Sequence, residues 1–207
     1  MTGRPIGFDL DLTLIDSRAS ILDSFRAVAS STGVVLRIDE IEARLGLNLE
    51  SELAYWFEAK EIANAAALYR HHYLELARTS TTAMPGAHAS LAAVARSGVQ
   101  SVIITAKHEF SVAPCLEATG LLADQVFTLA HGPEKATILR RIDASLYVGD
   151  TPADVQAACS AGVIAIGVTT GSFDADSLAG AGAHVILETM EDFPAWYMSF
   201  RARNRRS

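Results

Sequence analysis

Pro5-Ile6-Gly7-Phe8-Asp9-Leu10-Asp11-Leu12-Thr13 is a short apolar run that ends on two carboxylates. A run without polar alternation reads as a strand buried on both faces. Five more follow, at residues 101–104, 125–129, 145–148, 163–168 and 184–187. Between most of them lie amphipathic stretches of helical length, at 87–97, 109–119, 134–141 and 152–161. Gly98, Gly120 and Gly162 each fall just past such a stretch, where a left-handed residue ends a helix. Doubly buried strands alternating with helices predict an α/β fold with a doubly wound parallel sheet.

One interval breaks the alternation. Residues 16–85 contain no convincing strand and read as helices over 18–31, 39–44, 50–59 and 61–78. A crossover needs only one helix, so this span is expected to be an inserted α-helical cap, with Met84-Pro85-Gly86 marking the return to the core. The expected organisation is an α/β core from residues 1–15 and 86–200, a cap from 16–85, and a basic tail over 201–207.

The 207 residues suit one substantial core plus an appendage. A formal net charge of −7 argues against nucleic acid as the main partner, since phosphate backbones call for a basic face. No apolar run reaches membrane-spanning length, and Asp9 and Asp11 interrupt the first apolar stretch where a secretory signal would continue. A cytoplasmic protein without membrane association is expected. Cys115 and Cys159 fit neither a disulfide framework nor a metal pair, and both are expected as small buried apolar residues. Arg201, Arg203, Arg205 and Arg206 are expected to form a frayed, solvated end.

In a doubly wound sheet, ligands bind beyond the carboxyl ends of the strands. Asp9 and Asp11 follow the first strand, Thr105 the second and Asp150 the fourth, and Lys135 opens the helix after the third. Crowded carboxylates repel one another unless a divalent cation balances them. Oxygen ligands alone, beside a phosphate and water, favour Mg2+. The expected labour divides accordingly. Asp9 is the nucleophile that forms an aspartyl-phosphate. Asp11 protonates the leaving oxygen and then deprotonates the attacking water. Thr105 and the backbone N–H groups around Ala106 hold phosphate oxygens, and Lys135 offsets developing charge. Asp9, Asp11 and Asp150 are the expected metal residues. Asp154, one turn on, is expected to orient Lys135 or a metal-bound water.

Asp9-Leu10-Asp11-Leu12-Thr13, Thr105, Lys135 and Gly149-Asp150-Thr151-Pro152-Ala153-Asp154 resemble, in order, the four motifs of the haloacid dehalogenase superfamily. The longer segment through Leu14-Ile15-Asp16-Ser17 resembles its phosphoglycolate phosphatase-like branch, as do Met84-Pro85-Gly86, Gly171-Ser172 and Ala181-Gly182-Ala183-His184. The resemblance implies a Rossmann-like core, Mg2+-dependent phosphatase activity on a small phosphorylated metabolite, and substrate choice by the cap. It also implies that the cap loop around Gly46 contacts substrate, which makes Arg44 and Asn48 candidate specificity residues. The family usually carries Gly where Leu12 stands, because a tight turn follows the second Asp.

Other residues read more plainly. His71 and His72 are expected on or within the cap, His108 and His131 in loops, and Tyr55-Trp56-Phe57 in the cap core. Three other activities share parts of this pattern. A receiver module carries its phosphoacceptor after the third strand and has no cap. A hydrolytic dehalogenase lacks the acid that Asp11 supplies. A sugar phosphomutase differs in how its cap excludes water. Phosphoglycolate, a sugar phosphate and a nucleotide all suit such a core, and the oligomeric state is left open.

Overall fold

The computed structural model describes residues 3–204. Its main sheet contains β1 (Gly3–Phe8), β4 (Val99–Ile104), β5 (Gln125–Phe127), β6 (Leu146–Gly149), β7 (Ile164–Val168) and β8 (Val185–Leu187). All five pairings are parallel, and the spatial order is β5-β4-β1-β6-β7-β8. The chain leaves β1 toward β4 and β5, then returns to β1's other side with β6. The order therefore reverses between β1 and β6, which is where a doubly wound sheet opens its binding crevice.

The strands are apolar throughout because each face has its own core. Ile6, Phe8, Ile103, Leu146, Val148 and Ile166 pack on one side. That side is covered by α5 (Ala87–Arg96), α6 (Glu109–Thr119) and α10 (Phe193–Asn204). Val102, Ile104, Tyr147 and Ala165 point the other way, under α7 (Gly132–Arg141), α8 (Pro152–Ala161) and α9 (Ala175–Gly180). Gly7 makes room on this second face, since a Cβ there would stand 2.7 Å from the Tyr147 ring. That vacancy lets the Tyr147 hydroxyl reach the end of the sheet.

Between β1 and α5 the chain builds α1 (Arg18–Thr32), α2 (Ile38–Ala43), α3 (Leu49–Leu53) and α4 (Ala59–Ser80). The way in and the way out are β2 (Ile15–Asp16) and β3 (Thr82–Ala83), which pair antiparallel as a short ribbon. The four helices enclose a separate cluster around Leu22, Phe25, Val28, Ile41 and Leu53. Residues cross between the layers in both directions. Leu12, on the loop after β1, belongs to this helical cluster, while Tyr73, on α4, belongs to the cluster of the sheet.

Several local expectations need correcting. The predicted helix at 50–59 is only the five-residue α3, because Asn48 caps it through a bond from Ser51 N–H (2.8 Å) and turns follow at once. Cys159 is exposed, unlike buried Cys115, because it faces outward from α8 with Sγ 3.4 Å from the Gly182 carbonyl. Arg201 is part of α10 rather than a frayed end, and its guanidinium donates to the Ser97 carbonyl at 2.8 Å. Arg205 and Arg206 lie outside the described residues. Phe57 is buried as expected of cap core, but Tyr55 is exposed and lies under the Arg44 guanidinium. No described helix is long and apolar enough to cross a membrane.

Candidate active site

The site grows out of the β1 end. Asp9 extends the strand by one more bond, from its N–H to the Val148 carbonyl (2.8 Å). The chain then folds back sharply: Leu14 and Ile15 N–H both donate to the Leu10 carbonyl, and Leu12 N–H donates to the Ile15 carbonyl (2.8 Å). The reversal needs a left-handed residue, and Leu12 supplies it at φ 58°. A branched side chain pays for that conformation, by about 1–2 kcal/mol. Burial of Leu12 among the helical-layer residues offsets the cost.

Asp150 follows β6, the strand beside β1, and is 2 % exposed. Its Oδ1 accepts from the Thr13 hydroxyl at 3.0 Å. The loop after β7 presses on its other oxygen, and a Cβ at Gly171 would collide with that Oδ2. Among the described residues no basic group forms a salt bridge with Asp150. Burial and the neighbouring charges of Asp9 and Asp154 hold its pKa well above the ordinary carboxylate range.

Lys135 is buried in the first turn of α7 and bridges two carboxylates, with Nζ 2.7 Å from Asp9 Oδ1 and 2.6 Å from Asp154 Oδ1. Asp154 is in turn held by α8's capping box, accepting on Oδ2 from the Thr151 hydroxyl (2.7 Å) and amide (3.2 Å). The Tyr147 hydroxyl approaches Oδ1 at 3.3 Å. Burial raises the Asp9 carboxyl to about 7, against the pull of Lys135.

Oxygen atoms of Asp9, Asp150 and Asp154 all lie within 4.8 Å of one another, a donor set suited to a hard divalent cation. Both oxygens of Asp154 are already engaged by Lys135 and Thr151. Asp150 has only a hydroxyl, so its buried charge is the one that a cation would balance. The residues present fit such an ion, which Asp9 and Asp150 could hold.

Thr105 stands at the end of β4. Its N–H donates to Phe127 O (2.9 Å) and its hydroxyl accepts from Lys107 N–H (3.1 Å). Beyond these groups a cavity of about 350 Å³ runs from Asp9, Thr105 and Ala106 up to the helical layer.

Residues 6–168 match the haloacid dehalogenase-like hydrolase family. The chain belongs to that family.

Its relatives include a phosphoglycolate phosphatase of Cupriavidus necator, 27% identical over 90% of both chains. A probable phosphatase of Dickeya dadantii is 30% identical over 89% of both. In fold the chain superposes on a haloacid dehalogenase-like hydrolase of Streptococcus pneumoniae with a TM-score of 0.83, at 21% identity, over 94% of this chain and 98% of the other. The protein is thus a phosphoric monoester hydrolase of the haloacid dehalogenase-like family, with the helical layer as its cap.

The fold brings Asp9, Thr105, Ala106, Lys135, Asp150 and Asp154 to one cavity, as the motif spacing predicts. Asp11 also lines it, but its carboxylate lies outside the oxygen trio. It accepts from the Ser17 hydroxyl and pairs with Lys107 Nζ at 3.0 Å. Arg44 and Asn48 reach the cavity wall, yet each has an internal partner. Arg44 forks onto buried Glu52, Nε to Oε2 at 2.9 Å and Nη2 to Oε1 at 2.7 Å. Asn48 caps α3. His108 and His131 lie in loops, directly before α6 and α7, and also line the cavity.

Sequence reasoning missed Lys107, whose buried ammonium meets both Asp11 and the Tyr73 hydroxyl (2.8 Å). It also missed Thr13 as the partner of Asp150. Thr13 sits inside the first motif and was open to notice; Lys107 depends on where α4 crosses.

Proposed function

We propose that this phosphatase hydrolyses small phosphate monoesters in a Mg2+-dependent reaction through an aspartyl-phosphate on Asp9. The reading is carried by one observation: Asp9 and Asp150 follow adjacent strands at the sheet's reversal, with Lys135 bridging Asp9 to Asp154. Mg2+, bound by Asp9 and Asp150, would supply charge neutralisation for the carboxylates and the phosphate.

The free oxygen of Asp9 attacks phosphorus in line as the bond to the leaving oxygen breaks. Asp11 gives its proton to that oxygen, releasing an alcohol. It then takes a proton from water as the water attacks phosphorus and the bond to Asp9 breaks, releasing phosphate. Ser17 and Lys107 hold the Asp11 carboxylate at the cavity wall for both transfers. Thr105 and the amides beside Ala106 receive the phosphate oxygens, and Lys135 fixes Asp9 while offsetting negative charge.

The test is phosphate release from a panel of small monoesters. Activity requires Mg2+ and disappears in Asp9→Asn; near-normal turnover by that variant would remove Asp9 as nucleophile.

A further inference from the structure

Three non-glycine residues among those described have left-handed backbones: Leu12, Leu129 and Asp143. Aspartate tolerates that region through its short polar side chain; leucine does not. Both leucines line the active-site cavity. Outliers of this kind persist where the surrounding structure holds a side chain in place for use. Leu12 forms part of the deep wall with Phe25, Ile41 and Leu45, all buried. Leu129 is 52 % exposed and Leu47, from the cap loop, is 47 % exposed, so both present apolar surface to whatever enters.

The charges of the cavity point the same way. A leaving group carrying its own anion calls for a free cation beyond the phosphate. The cations lining this cavity already have carboxylate partners: Arg44 on Glu52, Arg70 on Glu50, Lys107 on Asp11, and Lys135 on Asp9 and Asp154. The volume of about 350 Å³ is well above the roughly 150 Å³ that encloses a benzene ring. It has room for a phosphate beside a ring-sized or short-chain apolar group.

We infer that the substrate is a phosphate monoester of an uncharged, apolar alcohol, and that Leu12 and Leu129 are specificity residues contacting its organic part. The inference rests on the phosphatase reading and narrows it, away from monoesters with a second anionic group such as phosphoglycolate.

The experiment compares kcat/KM for n-butyl phosphate, ethyl phosphate and phosphoglycolate in the presence of Mg2+. Butyl phosphate is expected to exceed both others by roughly tenfold or more, the scale at which apolar pockets discriminate methylenes. Leu129→Ser, at a half-exposed position that does not threaten folding, is expected to narrow the butyl-to-ethyl ratio. Glu50→Gln, which releases Arg70, is expected to raise kcat/KM for phosphoglycolate. In parallel, binding of butylphosphonate and phosphonoacetate to the Mg2+-loaded protein is measured by calorimetry. Preference for phosphoglycolate and phosphonoacetate, or indifference within each pair, overturns the inference. Should no ester release phosphate, the catalytic reading falls while the phosphonate pair still decides this one.

Discussion

The ammonium of Lys107 lies 3.0 Å from the carboxylate of Asp11, and both are held at the seam between the core and the cap. The same ammonium donates to the hydroxyl of Tyr73 on α4. The proposed proton-transferring group is thereby held by a residue whose other partner belongs to the cap. Asp11→Ala is expected to lose about 10²–10⁴ in kcat, the usual range for a general acid–base group, while still binding vanadate. Lys107→Met is expected to lose less, because it removes a support rather than the group. Equal losses in the two variants, or failure of Asp11→Ala to bind vanadate, would contradict this assignment.

Lys135 joins Asp9 and Asp154 in a buried site. Removing one member of such a group leaves charge without compensation, at a cost of about 3–5 kcal/mol. Lys135→Ala is therefore expected to lower both turnover and stability in urea denaturation. Asp154→Asn keeps the shape but weakens the hold on Lys135, and its effect on kcat is expected to exceed its effect on KM. A Lys135→Ala protein as stable as the parent would contradict the bridge.

Burial raises the Asp9 carboxyl to about 7, and that of Asp150 well above its ordinary value. An acid whose pKa is higher in the folded than the unfolded state takes up a proton on folding. Metal-free protein is thus expected to lose stability as pH rises from about 4 to about 7. On the proposed reading Mg2+ would balance the ionised pair, so its addition is expected to raise Tm more at pH 8 than at pH 5. Thermal melts with Mg2+ and with EDTA at the two pH values check this; a larger shift at pH 5 would count against Asp9 and Asp150 as ligands.

Leu12 combines an unfavourable backbone with a favourable burial. Leu12→Ala keeps the backbone penalty and loses the packing, at a cost of about 2–5 kcal/mol. Leu12→Gly loses the same packing but relieves the backbone, so it is expected to be about 1 kcal/mol less destabilised than Leu12→Ala. Denaturant melts of the two variants decide it, and the reverse order would mean that the strain is not real.

The core strands were legible because each is apolar on both faces, and they bring Asp9, Thr105 and Asp150 to the same end of the sheet. The pairing of β2 with β3 was not, since two residues each carry no periodicity. Nor were α9 and α10: one has six residues, and the aromatic run of the other does not alternate clearly. The partners of Arg44 and Lys107 were hidden for a different reason. Glu52 lies eight residues from Arg44 and Tyr73 thirty-four from Lys107, and only the cap's tertiary path brings them together.

The crossing of Leu12 into the cap and of Tyr73 into the core bears on how this protein can be recombined. The ribbon of Ile15–Asp16 with Thr82–Ala83 looks like a natural splice point for swapping in a foreign insert. A chimera cut there would inherit a leucine with no pocket to fill and a lysine with no phenol to meet. Transplanting substrate preference between relatives therefore requires residues 12 and 107 to travel with the insert.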